Sequence, residues 1–166
     1  MGDVCGHNKS KERKMKYLLS VVVFCSFSSL ADDLKELDPI IFMLDLSVNE
    51  GEKKQAEEFT HEIASNVLKV EPGTLIYEYY FDADNKAFLY EVYKSNHAAI
   101  EHVKNFRGSN WESRFGKFFS ITSFSVLGNS SETLKKSLEG YTTDFRTLEG
   151  GFHKPAKNLG EKILGL

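Results

Sequence analysis

His102 is the residue best placed for proton chemistry. It stands in a helical stretch, Ser95 to Phe106, in which Ala99, Val103 and Phe106 fall within about 60° of arc, and it lies about 40° from Phe106. It therefore borders the buried face and looks toward whatever the helix covers. An imidazole at the edge of an apolar pocket can take a proton from a phenol near neutral pH. The plainer role is a core-edge histidine bonded to a carboxylate or a backbone group. His97 falls near the opposite side of the helix and is expected to be solvated. Two strand residues join His102. Strict alternation puts Tyr77 on one face with Leu75 and Tyr79, and puts Glu91 on one face with Leu89 and Tyr93. A carboxylate among apolar neighbours must find a partner or shift its pKa. Glu91 can orient His102, or pair with a basic residue at a subunit interface.

Aromatic residues supply the walls. Five tyrosines lie on the two strands around Tyr77 and Glu91, and a tyrosine's apolar ring with its polar tip suits a flat, partly polar ligand. Tyrosine is also simply a good strand former. Tyr79, Tyr93, Phe106, Trp111 and Phe115 are the candidate pocket residues. Trp111, the single tryptophan, shares a helical stripe with Phe115 and Phe118; such a stripe serves either as core or as a stacking surface. Metal ligation has no support, since no histidines are paired at ligand spacing and His97 with Glu101 reads as an exposed i,i+4 pair. There is no glycine signature for a nucleotide or flavin.

These residues need elements to hold them. Ile40, Phe42, Leu44, Leu46 and Val48 alternate as a first strand. Ser47 and Glu50 have capping-box spacing, and Ala56, Phe59, Ile63, Val67 and Val70 share one face of a helix of about 20 residues. Pro72-Gly73 closes it. A hairpin follows, with a tip from Asp82 to Lys86, then the His102 helix. Ser109 and Glu112 give a second capping-box spacing, and Ile121 to Leu127 is the last strand. The order βαββαβ predicts an α+β, ferredoxin-like antiparallel sheet with helices on one face. The other face, assigned Leu89, Ile76, Met43 and Tyr93, is too apolar to stay wet. Beyond Gly128 the chain offers a short helix, Thr133 to Leu138, and an irregular tail with Gly150-Gly151-Phe152.

The first 31 residues read as a signal peptide. Lys9, Lys11, Arg13, Lys14 and Lys16 precede the apolar run Tyr17 to Phe27, and Ser29-Leu30-Ala31 offers a cleavage site. The expected organisation is leader 1–31, linker 32–38, domain 39–128 and C-terminal extension 129–166. The product would be exported, without a membrane anchor after cleavage near Ala31. Both cysteines, Cys5 and Cys25, lie in the leader. Of 21 basic and 24 acidic residues, five and two fall there, so the remainder carries 16 against 22, a net of −6. An acidic body without a basic stripe argues against nucleic acid as a partner.

The ordered set Glu71-Pro72-Gly73, Tyr77-Glu78, Glu91, His102-Val-Lys-Asn-Phe106 and Phe124-Ser-Val-Leu-Gly128 resembles the antibiotic biosynthesis monooxygenase family, in particular its quinol-monooxygenase-like members. The resemblance covers roughly Pro39 to Gly128. It implies a dimeric α+β barrel, built by pairing two sheets, and a homodimer as the working unit. It also implies a monooxygenase that uses no cofactor and oxidises phenols, anthrones or hydroquinones with molecular oxygen. His102 would then be the base, with Tyr77 and Glu91 beside it. Two other readings stay open: a non-catalytic exported dimer that binds a small aromatic ligand, and haem degradation. The haem-degrading relatives carry a tryptophan where Tyr93 stands and a histidine where this chain reads Phe106-Arg-Gly-Ser-Asn110, so the last reading fits poorly.

Overall fold

The computed structural model describes residues 38–151. The expected leader, its cleavage site near Ala31, most of the linker, and the tail from Phe152 onward lie outside the described residues. The elements run β1 (Ile40–Val48), α1 (Lys53–Val70), β2 (Thr74–Phe81), β3 (Lys86–Tyr93), α2 (Asn96–Phe106), α3 (Asn110–Phe118), β4 (Phe119–Leu127), α4 (Glu132–Ser137) and β5 (Asp144–Arg146). The sheet order is β2-β3-β1-β4-β5, with helices on one face, as a ferredoxin-like α+β fold requires. No helix among the described residues is long and apolar enough to cross a membrane.

β1 is central because its apolar side chains alternate and it has a partner on both sides. Ile40, Phe42, Leu44, Leu46 and Val48 are all buried. Register places Leu89 opposite Leu44 and Tyr93 opposite Ile40, and in turn Tyr77 opposite Glu91. Leu89 and Tyr93 therefore belong to the helix-covered core, at 2% and 0% exposure, which corrects their assignment to the second face. Alternation within one strand yields two sets of side chains, but only the pairing shows which set meets the helices. The second face carries Ile41, Met43, Ile76, Tyr90 and Val92 instead.

Other expectations shift for identifiable reasons. The β1 ladder claims Ser47, which pairs with Lys86 and Ser120, so it cannot cap the helix. The chain turns at Gly51 (φ 77°), and α1 starts at Lys53 without a side-chain cap. The helix has 18 residues, and Val70 at its end is half exposed. Ser109 does cap α3, accepting from the N–H groups of Trp111 and Glu112, while the Glu112 carboxylate turns back to the Gly108 N–H at 2.6 Å. The sheet is not wholly antiparallel. The extension supplies β5, which pairs parallel with β4 from Ser125↔Asp144 to Leu127↔Arg146.

Candidate functional site

A tight corner brings the site together. Glu71 is the residue after α1, and its N–H still bonds the Val67 carbonyl at 2.9 Å. Gly73 follows, and a Cβ there would lie 2.5 Å from the Cβ of Ala98 in the first turn of α2. Only a glycine lets α2 sit this close to the corner. Ser95 caps α2, and the small Ala98 and Ala99 let it settle on the sheet, so His102 one turn later is buried at 7% exposure. Gly73→Ala is expected to destabilise the fold by about 1–3 kcal/mol, as overpacking does. Denaturant unfolding would measure this, and unchanged stability would show that the corner has slack.

Glu71 and His102 form a buried pair. His102 Nδ1 lies 2.9 Å from Glu71 Oε2, which also accepts from the Thr74 hydroxyl at 2.9 Å. Asn105 donates to Glu71 Oε1 at 3.1 Å. Burial pushes the Glu71 carboxyl up, but the His102 contact and these two donors outweigh it and hold it below its ordinary range. An ionised carboxylate only accepts, so the proton between the two sits on Nδ1. That leaves Nε2 as the free end of the ring. Its nearest charged neighbour is Glu91 Oε1 at 3.8 Å, beyond hydrogen-bond reach.

Glu91 is 3% exposed and takes a 2.6 Å hydrogen bond from the Tyr93 hydroxyl. Burial raises its pKa, only partly offset by His102 and by that bond. Burial alone would lower the His102 pKa, yet Glu91 and Glu71 together raise it above its usual value. Burial drives the Tyr77 and Tyr93 phenols well above the tyrosine range, so both stay protonated. The histidine is thus a strengthened base held by two carboxylates of unlike character.

A cavity of about 50 Å³ opens beside the ring. Tyr77, Glu91 and His102 line one part of it with Phe106 and Phe115, so these five predicted residues are brought together. The remaining walls come from Phe42, Leu44, Leu89, Val103, Ile121, Phe124, Leu138 and Tyr141. Three predicted pocket residues stand elsewhere. Tyr79 stacks on Phe119 at 5.9 Å, Tyr93 packs against the His102 ring at 5.2 Å without lining the cavity, and Trp111 packs on Phe59 of α1 at 6.0 Å. α3 faces both α1 and the cavity, and Trp111 falls on the α1 side. His97 is exposed. Among the described residues, no group of three or more His, Cys, Asp or Glu is placed to hold a metal.

Glu71, Thr74, Asn105 and Tyr141 carried no predicted role. The Glu71-Pro72-Gly73 corner was the one available signal for the first of them.

No protein-family model matches the chain, and no curated protein matches it in sequence. Solved structures do. MupZ from Pseudomonas fluorescens aligns with a TM-score of 0.64 and 22% identity, over 72% of this chain and 98% of its own. A protein assigned by name to the antibiotic biosynthesis monooxygenases, from Nitrosomonas europaea, aligns at 0.49 and 18% identity, over 55% and 90%. SnoaB, a cofactor-independent oxygenase from Streptomyces nogalater, aligns at 0.47 and 12% identity, over 57% and 95%. At these identities the likeness is one of fold.

Proposed function

We propose that this chain, which shares its fold with MupZ, belongs to the antibiotic biosynthesis monooxygenase family and oxidises a phenolic, anthrone-like or hydroquinone small molecule with molecular oxygen, without a cofactor. One observation carries the reading: Glu71 holds His102 Nδ1 at 2.9 Å, Nε2 makes no hydrogen bond within the protein, and the residue lines an apolar cavity. A base oriented by a carboxylate, with its free nitrogen toward a dry pocket, is the arrangement that proton abstraction requires. Nε2 takes the phenol proton, and the electron-rich phenolate passes an electron to oxygen. One oxygen atom bonds to the ring carbon. The O–O bond then breaks, the carbon becomes a carbonyl, and the second atom leaves as water with the two hydrogens that the substrate loses. Apolar walls keep water from the radical pair. The test is oxygen uptake by metal-stripped protein over a panel of hydroquinones and anthrones.

A second reading is a non-catalytic module that binds a small aromatic ligand, and the burial of His102 between Glu71 and Glu91, as in a structural core network, favours it. In either reading the cavity must widen to admit a ligand. Small-molecule sites usually span about 300–1,000 Å³, far above the 50 Å³ found here. Haem, larger still, fits less well.

The working unit in either reading is a homodimer formed over the second sheet face, where Ile41, Met43 and Ile76 present partly exposed apolar surface. Sedimentation at twice the monomer mass is expected, with Met43→Lys shifting it to monomer. A wild-type monomer at micromolar concentration would remove this part of the proposal. Export follows from the leader, and N-terminal sequencing of the secreted protein should begin near Asp32.

A further inference from the structure

The His102 cavity holds about 50 Å³, a third of the ~150 Å³ known to accept one benzene ring. An aromatic ligand can therefore enter only if a wall gives way, and the walls are not equal. Phe42, Leu44 and Leu89 stand on strands hydrogen-bonded on both sides. Phe106 and Phe115 are locked edge-to-face at 5.6 Å on two helices. Two lining residues, Leu138 and Tyr141, lie in the irregular segment between α4 and the three-residue β5; Leu138 is fixed in the core at 1% exposure, whereas Tyr141 is only partly buried. Specific contacts hold Tyr141 from outside the cavity. The Arg107 guanidinium sits 4.3 Å from its ring centroid, and its hydroxyl donates to Glu112 Oε1. Arg107 also bonds the carbonyls of Ser137 and Glu139, both at 2.9 Å, and so ties the whole segment down. Ile121, the most exposed lining residue at 39%, marks where the cavity approaches solvent.

We propose that Tyr141 is the movable wall and size selector of this site: a single-ring phenol is admitted when the tyrosine ring swings out, and the Arg107–Tyr141–Glu112 latch sets how readily that happens. The space that the ring vacates adds about one ring's volume to the cavity beside His102. A single-ring phenol is then the favoured substrate class, and a fused three-ring anthrone is excluded while Tyr141 is present. This rests on reading the His102 cavity as the ligand site.

The test is calorimetric binding of phenol and of 1-naphthol under nitrogen, with no oxidation needed. Tyr141→Ala is expected to bind phenol at least tenfold more tightly than wild type and to admit 1-naphthol, which wild type rejects. Glu112→Gln keeps the tyrosine but weakens the latch, and should tighten phenol binding a few-fold even if Tyr141→Ala fails to fold. Tyr77→Ala serves as the competing wall. Equal phenol binding by wild type and both latch variants overturns the proposal, as does a gain confined to Tyr77→Ala. No phenol bound by any variant overturns the ligand site itself, and the movable wall with it.

Discussion

Replacing His102 with alanine is expected to lower oxygen uptake by about 10²-fold or more, the range for losing a positioned general base. The expectation rests on geometry. Glu71 fixes Nδ1, His102 lines the cavity, and no other described lining residue carries a basic nitrogen. Tyr77 cannot substitute, because burial keeps its phenol protonated. The change also removes the imidazole that lies between two buried carboxylates. Breaking a buried pair of this kind costs about 3–5 kcal/mol, so circular dichroism and unfolding must accompany the assay. A folded His102→Ala protein that keeps uptake within twofold of wild type would remove the base from the mechanism and favour a packing role.

Glu71→Gln should change both rate and pH dependence. In the proposed reaction activity requires neutral His102, whose folded pKa lies above the usual 6.5. The acid limb of kcat/KM should therefore fall above pH 6.5. Removing the Glu71 charge takes away part of what raises that pKa, so the limb should move to lower pH while the maximum rate drops through loss of the fixed tautomer. Stability follows the same groups. The Glu71 carboxyl is lowered on folding, so its contribution is present above the usual carboxylate range and lost as pH falls through the folded value. His102 is raised, so its contribution is complete below pH 6.5 and lost as pH rises through its folded value. Glu91, also raised, weakens the fold in the same direction with rising pH. Denaturant midpoints from pH 4 to 9 should peak between the carboxylate and imidazole ranges, and Glu71→Gln should flatten that peak. A limb and a peak unchanged in the variant would show that Glu71 does not act on His102.

Local periodicity made part of the site legible. The 3.6-residue period of α2 aimed His102 inward, and the two-residue period of β2 and β3 put Tyr77 and Glu91 on definite faces. Glu71 was hidden because its partner lies 31 residues away, across a corner whose closeness depends on Gly73 meeting Ala98. Register decided what alternation left open. Leu89 and Tyr93 went to the core because they pair with Leu44 and Ile40. Trp111 illustrates a different limit: a helix stripe shows a buried side, but α3 has two neighbours, and Phe59 takes the indole. The part of the extension that carries Tyr141 has no period at all, and β5 is too short, at three residues, to announce itself. Both matter because Tyr141 reaches the cavity from there.

The proposed reaction is oxygenation of a phenol by this protein's own side chains. The most direct test is turnover of a single-ring hydroquinone or para-unsubstituted phenol by metal-stripped protein under ¹⁸O₂, with mass spectrometry of the product. Uptake above the spontaneous rate, undiminished by chelator, is expected, with one labelled oxygen in each quinone formed from the phenol. Uptake no faster than the spontaneous rate with every substrate, or a product oxygen drawn from water, would contradict it.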